Sequence, residues 1–318
     1  MEKTIRTEKE KNIDVRKMIE QNKSSLSFSN IFEKLIPKIL LVIAIISIIT
    51  TAGILVTLLS ETVLFFKEVS FVEFFTGTVL KPLGQNAQFG VLPLLAGTLI
   101  SSAIAMIVAI PIGLMTAVYL SEYATEKVRR VLKPILEILA GIPTIVYGFF
   151  ALTFVTPILR SIIPGLDPTN ILSPGIVMGI MIIPMVASLS EDAMSAVPNA
   201  MREGALALGA TKLEVTWKVV VPAAISGIIA SFVLGISRAI GETMIVTIAS
   251  GSSKNFTFDI TQSMQTMTAY IVEVTGGDAP AGSTLYYSLY AVAMTLFVFT
   301  LIMNLLAQYI SRKLREEY

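Results

Sequence analysis

Residues 197–214 read Val197-Pro198-Asn199-Ala200-Met201-Arg202-Glu203-Gly204-Ala205-Leu206-Ala207-Leu208-Gly209-Ala210-Thr211-Lys212-Leu213-Glu214. Pro198 suits the first turn of a helix, where its missing N–H leaves nothing unpaired. Gly209 supplies a left-handed stop. Thr211, with Glu214 three residues on, forms a capping box that opens a second helix. That helix runs through Val215, Trp217 and Val219 to Pro222. The stretch therefore predicts a compact helix–turn–helix, and it is set between two long apolar runs, 172–190 and 220–249. A DNA-binding helix–turn–helix shares the Gly-centred turn. Residues 191–218 carry only three basic side chains and are tethered at both ends, so nucleic acid is not an expected partner.

Working outward, the flanking runs belong to a set of six, at roughly 37–60, 93–120, 134–159, 172–190, 220–249 and 285–310. Each is close to the ~20 apolar residues needed to cross a bilayer as a helix. Composition agrees: of 318 residues, 54% are hydrophobic and 15% charged, against roughly 25% charged in soluble domains. The runs are continuous rather than alternating, which excludes a β-barrel. The expected fold is all-α, a polytopic membrane protein of six transmembrane helices solvated by membrane lipid. Pro111 and Gly113 are expected to interrupt the second span, Gly141 and Pro143 the third, and Pro184 the fourth.

Orientation follows from Lys and Arg. With the N-terminus inside, 19 of the 24 fall in cytoplasmic segments and four (Lys67, Lys81, Arg160 and Lys254) fall outside. This bias obeys the positive-inside rule, so both termini are expected in the cytoplasm. Residues 1–34 are expected to be a cytoplasmic tail, 35–318 the transmembrane domain, and 191–218 a cytoplasmic loop. The hydrophilic first 30 residues do not have the form of a cleaved signal.

The chain has no Cys and no His, which removes thiolate and imidazole metal ligands and the nucleophilic sites that depend on them. No catalytic residue, metal or cofactor is expected. The dipeptide Gly-Lys, which a nucleotide-binding phosphate loop requires, does not occur. ATP hydrolysis, if it drives this chain, must come from another polypeptide.

One run places charge inside the membrane: Gly235-Ile236-Ser237-Arg238-Ala239-Ile240-Gly241-Glu242-Thr243. Counting from Pro222, Arg238 is ~24 Å up a helix. A charge at that depth costs at least ~2.5–3.5 kcal/mol and usually faces a pathway or a partner. Arg238 and Glu242 are four apart and are expected to share a face and pair. A guanidinium there suits an oxyanion, and pairing at rest would keep the anion from being trapped. The bland alternative is an ion pair that fixes helix packing. Glu137 is expected to pair or snorkel at the interface after Lys133. The outer loop 251–283, with Thr257, Asp259, Thr261 and Gln262, offers a docking surface.

These residues carry a resemblance. Binding-protein-dependent ABC importers have permeases with a cytoplasmic loop of pattern E-A-A-x3-G-x9-I-x-L-P. Here Glu203, Gly204, Ala205, Gly209 and then Val219-Val220-Val221-Pro222 keep the spacing, with Gly204 for the first Ala and valines for Ile and Leu. The segment Arg238-Ala239-Ile240-Gly241-Glu242-Thr243 resembles the permeases of the phosphate-specific transport system. The runs Phe89–Leu99 and Gly141–Gly148 are similar to its PstC-type subunit.

The resemblance implies a type I ABC importer permease fold in the cytoplasmic membrane of a prokaryote. It implies a coupling helix at Glu203, Gly204, Ala205 and Gly209 that docks on an ATPase subunit, and a phosphate pathway at Arg238 and Glu242. It also implies partners: two copies of the ATPase, a second permease of PstA type, an extracytoplasmic phosphate-binding protein, and inorganic phosphate. An ABC permease for molybdate or sulfate is the nearest alternative. A proton-coupled secondary transporter using Glu242 is a more distant one.

Overall fold

The computed structural model describes residues 28–84 and 86–313, and the chain divides into two compact units, residues 1–57 and 58–318. Most of the expected tail, residues 1–27, lies outside the described residues. In the first unit a helix is already formed at Phe28 and continues to Glu68 (α1, Phe28–Glu68). Its side chains from Leu35 to Thr50 are exposed on every side. Mostly apolar, uncovered side chains on a helix whose backbone bonds are internal belong in lipid.

In the second unit almost everything is helical. A short helix (α2, Phe71–Thr76) and a two-stranded antiparallel hairpin (β1, Leu80–Lys81; β2, Gln88–Phe89) lead into α3 (Leu92–Val118). A π-turn, Tyr119–Tyr123, then connects to α4 (Glu126–Gly141). The next span is built from α5 (Thr144–Phe150), a π-turn and α6 (Thr156–Ile162), and is followed by α7 (Leu172–Ser195). The loop that opened the sequence reading forms α8 (Asn199–Ala207) and α9 (Lys212–Val215), then a π-turn and α10 (Val221–Ala223). The chain finishes with α11 (Ile225–Ile240), α12 (Met244–Ala249), α13 (Met267–Gly276) and α14 (Thr284–Lys313). Five of the described helices are long and apolar enough to cross a membrane; a sixth span forms if Lys212–Ala223 and Ile225–Ile240, which meet at a 70° bend, are counted together.

The centre of this unit is the pairing of α3 with α7. Small residues let the backbones approach: a Cβ on Gly113 would lie 2.8 Å from Val186 Cγ1, and one on Gly179 would lie 2.7 Å from the Ala105 carbonyl. In lipid, where apolar contact alone does not drive helices together, such close van der Waals packing is what holds them. Ala105, Ala109, Val177, Met178, Met181, Ile182 and Val186 are fully buried there, with Tyr147, Ala239 and Ile245 packed on them. Two further clusters lie at the ends. One joins Phe65, Phe74, Phe89, Leu94, Met267 and Tyr270. The other joins Ala117, Met194, Val215, Val220 and Ile228 beside the α8–α10 loop.

Four expectations change. The third span does not cover 134–159: Ile142 and Pro143 break it, and residues 126–141 form a separate helix with no buried side chain. Its apolar residues recur at helical spacing beside charges, so it is amphipathic rather than spanning. Pro111 and Pro184, by contrast, sit within continuous helices. The fifth span is divided at Gly241–Thr243 into α11 and α12. The outer loop 251–283 is not all surface, because α13 buries Met267 and Tyr270 completely.

Candidate substrate pathway and docking loop

The loop has the local structure its residues require. Pro198 is the N-cap of α8. Gly209 has φ +86°, the left-handed conformation that ends the helix. Thr211 accepts from the Glu214 backbone N–H while the Glu214 carboxylate accepts from Thr211 N at 3.1 Å, the reciprocal capping box. Those bonds, first from the Thr211 backbone and then from Lys218 and the Thr211 hydroxyl, hold the Glu214 carboxyl at about 2, below its ordinary 4.5.

Glu203, Gly204 and Gly209 are exposed and Ala205 is half-buried. Leu208, at the tip, is 90% exposed. Leu206, Leu213 and Trp217 are exposed as well, and a group of uncovered apolar side chains marks a surface that meets another protein.

Arg202, which the sequence reading passed over, anchors α8 to the rest of the molecule. Its Nη2 donates to the Met194 carbonyl at 2.7 Å and to Glu122 Oε1 at 3.0 Å, and its Nη1 donates to the Val197 carbonyl. Glu122 lies in the turn after α3, and Met194 lies in the last turn of α7. One planar guanidinium thus ties α8 to two spans at once.

Arg238 and Glu242 are near each other in the chain but do not pair. The helix stops at Ile240, so the i, i+4 geometry is never formed. Arg238 is exposed, and its one hydrogen bond among the described residues runs from Nη2 to Met181 Sδ at 3.9 Å. A thioether is a weak acceptor, which leaves the guanidinium without a counter-ion. Glu242 is 9% exposed and accepts from the Met244 and Ile245 backbone N–H groups at 3.1 and 3.4 Å. Its carboxylate sits at the start of α12, and its carbonyl accepts from Thr268 Oγ1 at 2.7 Å. The acid therefore holds the break in the span together while the base faces open space.

Arg238 lines a cleft of roughly 480 Å³ with Lys133 and Glu137 of α4 and Pro184, Ser188 and Glu191 of α7. Across it, Lys133 Nζ meets Glu191 Oε2 at 2.6 Å. The Glu191 side chain is 3% exposed, that of Lys133 40%. Sequence spacing drew attention to Glu137 beside Lys133. The partner that forms instead comes from a different helix, which no local spacing announces. The lining combines two cations and two carboxylates with apolar walls.

At the opposite end of the molecule Asp259 organises its own turn. Its carboxylate accepts from the Thr261 hydroxyl at 2.6 Å and backbone at 2.9 Å, and from Gln262 Nε2 at 3.0 Å. These bonds, the Thr261 hydroxyl foremost, lower its pKa below the ordinary carboxylate value.

Known proteins resemble this chain. The chain is 33% identical over 245 residues to the probable ABC transporter permease protein YqgH of Bacillus subtilis (strain 168), covering 77% of this chain and 79% of that one. It is 32% identical to the phosphate transport system permease protein PstC of Haemophilus influenzae, over 72% of this chain and 78% of that protein. The probable phosphate transport system permease protein PstC of Methanocaldococcus jannaschii is 31% identical over 77% and 83%.

In fold, the chain resembles a bacterial ABC transporter involved in the import of the acidic polysaccharide alginate. The TM-score is 0.63 at 16% identity, over 90% of this chain and 99% of that one. The inward-facing MetNI methionine ABC transporter superposes with a TM-score of 0.53 at 18% identity, over 71% and 95%. Residues 109–316 match the family model described as the binding-protein-dependent transport system inner membrane component. The chain is a multi-pass membrane protein that belongs to this family of transport permeases.

Proposed function

We propose that this chain is the permease subunit of an ATP-driven importer of inorganic phosphate. One observation carries the reading: an Arg with no carboxylate partner among the described residues lines a cleft in a transport permease whose relatives include proteins named as phosphate permeases. A guanidinium offers two parallel donors to a tetrahedral oxyanion. Arg238 is the binding group of the pathway in this reading. Glu242 shapes the break that exposes it.

Energy comes from a separate ATPase, since the chain lacks the phosphate-loop dipeptide. Two ATPase copies meet this chain and a second, PstA-type permease, and the contact here is made by Glu203, Gly204, Ala205 and Gly209, with Leu208 at the tip. An extracytoplasmic phosphate-binding protein delivers the substrate to the face carrying Asp259. Both termini lie in the cytoplasm, residues 1–34 form the tail, and 35–318 form a single permease domain. No cofactor or metal enters this scheme.

The test is radiolabelled phosphate uptake in cells lacking their own high-affinity system and supplied with this chain and its partner subunits. Uptake is expected to require ATP, to fall at least about tenfold in Arg238→Ala, where a charge-assisted contact is lost, and to fall with release of the ATPase in Glu203→Lys. Uptake of sulfate or molybdate instead would change the substrate and keep the architecture. Uptake driven by a proton gradient, or indifferent to both substitutions, would overturn the reading.

A further inference from the structure

We propose that the Lys133–Glu191 pair is a second oxyanion station in the cleft of Arg238, with Glu191 as the resident anion that the substrate displaces. This rests on the reading of that cleft as an oxyanion pathway.

The placement of the pair is the first reason. Lys133 is one of four basic residues between Lys127 and Lys133, and it is the one that lines the cleft. Arg129 instead donates to the Leu120 carbonyl at 2.8 Å, closing the turn after α3. Ion pairs on protein surfaces are worth little because both groups remain hydrated. Glu191 is different: its side chain is almost wholly buried, and a buried carboxylate is stable only with a partner. It has Lys133 on one oxygen and Ser195 Oγ at 3.3 Å on the other. The Lys133 side chain keeps 40% of its surface exposed and lines the cleft. The contact is an ion pair, with no hydrogen bond to Glu191 Oε2 among the described residues, so the three donors of the ammonium are open to an anion that comes to replace the carboxylate.

The charge balance is the second reason. Arg238 and Lys133 are matched by Glu137 and Glu191, so the resting cleft is close to neutral although Arg238 itself has no ion-pair partner among the described residues. An oxyanion bound first at Arg238 has a neighbouring cation already occupied by a carboxylate. Moving on requires the ammonium to exchange one anionic oxygen for another, with no bond made or broken. Such an exchange keeps the anion from being held too tightly, which conduction needs. Pro184, Ser188 and Glu191 recur at helical spacing along α7, which puts Ser188 on the cleft wall beside the pair.

The absence of cysteine from the chain makes this testable without background from its own thiols. Ser188→Cys, a replacement at an exposed position, provides a single thiol in the cleft. Its alkylation by a small maleimide is followed by mass on this subunit in the purified importer, across a series of inorganic phosphate concentrations at constant ionic strength. Phosphate is expected to slow alkylation. The same protection should need about tenfold more phosphate in Lys133→Met, the ratio that loss of one charge-assisted hydrogen bond produces. In Glu191→Gln, where the competitor is gone, it should need less.

A purely structural pair would instead change subunit abundance and leave the protection curve in place. No protection, or one curve for all three proteins, overturns the station while phosphate uptake by the unsubstituted importer stands. If that importer takes up no oxyanion, the pathway reading and this proposal fall together.

Discussion

Glu214 shows how much a single side chain can fix. Its carboxylate closes the capping box at the start of α9 and pairs with Lys218 Nζ at 3.0 Å. A carboxyl held at about 2 is ionised and bonded in the folded loop at any pH above the ordinary 4.5. Because its folded pKa is depressed, its contribution is complete above the unfolded value and is lost as pH falls from 4.5 towards 2. Amide hydrogen exchange at residues 211–216 should therefore be flat between pH 5.5 and 8 once corrected for intrinsic rates. Excess exchange should appear only below about 4.5. Onset near neutrality would show that the box is not what orders the turn. Thr211 and Glu214 were legible in the sequence because capping depends on spacing alone. Arg238 and Glu242 were misread by the same habit, since four residues apart means one face only while the helix continues, and here it ends between them. Lys133–Glu191 and Arg202–Glu122 left no local trace, because each joins helices distant in sequence.

At the scale of elements, apolar runs located the helices well and their ends less well. Residues 134–159 read as one span because hydropathy does not distinguish an amphipathic helix from a spanning one when Pro143 alone separates them. The three-piece fifth span was hidden in the same way: α11, the break and α12 carry no charge apart from Arg238 and Glu242. The α3–α7 pairing rests on positions whose role only the structure displays. Gly179 has the Ala105 carbonyl 2.7 Å and Val108 Cβ 2.7 Å from where a side chain would begin. Neither the carbonyl nor the branched carbon can swing away. Gly179→Leu should therefore force the helices apart, destabilising the permease by about 1–3 kcal/mol. The readout is the thermal unfolding midpoint in detergent. A midpoint equal to that of the unsubstituted protein would mean that the two helices are not in such close contact.

For the whole molecule, the bias of basic residues gives a prediction about sidedness. A fluorescent protein fused after Tyr318 should mature and fluoresce, and a periplasmic reporter enzyme at the same point should stay inactive. A fusion of that enzyme within the hairpin turn near Gly84 should be active. The reverse pattern would invert the topology and put the α8 loop outside the cell. The fold class and the run of apolar spans were readable at this scale, because lipid solvation is a property of composition. The cleft was not, since its lining is drawn from α4, α7 and α11 together.

Arg202 has a mechanical consequence. A loop joined to a membrane domain only by its two chain ends would yield when pushed, and much of the stroke would be spent flexing the joints. Here the guanidinium grips the turn after α3 and the last turn of α7, and those two helices are themselves packed glycine against backbone and side chain. A displacement of α8 would therefore have little slack to take up before it reached both helices, since one rigid planar group joins all three.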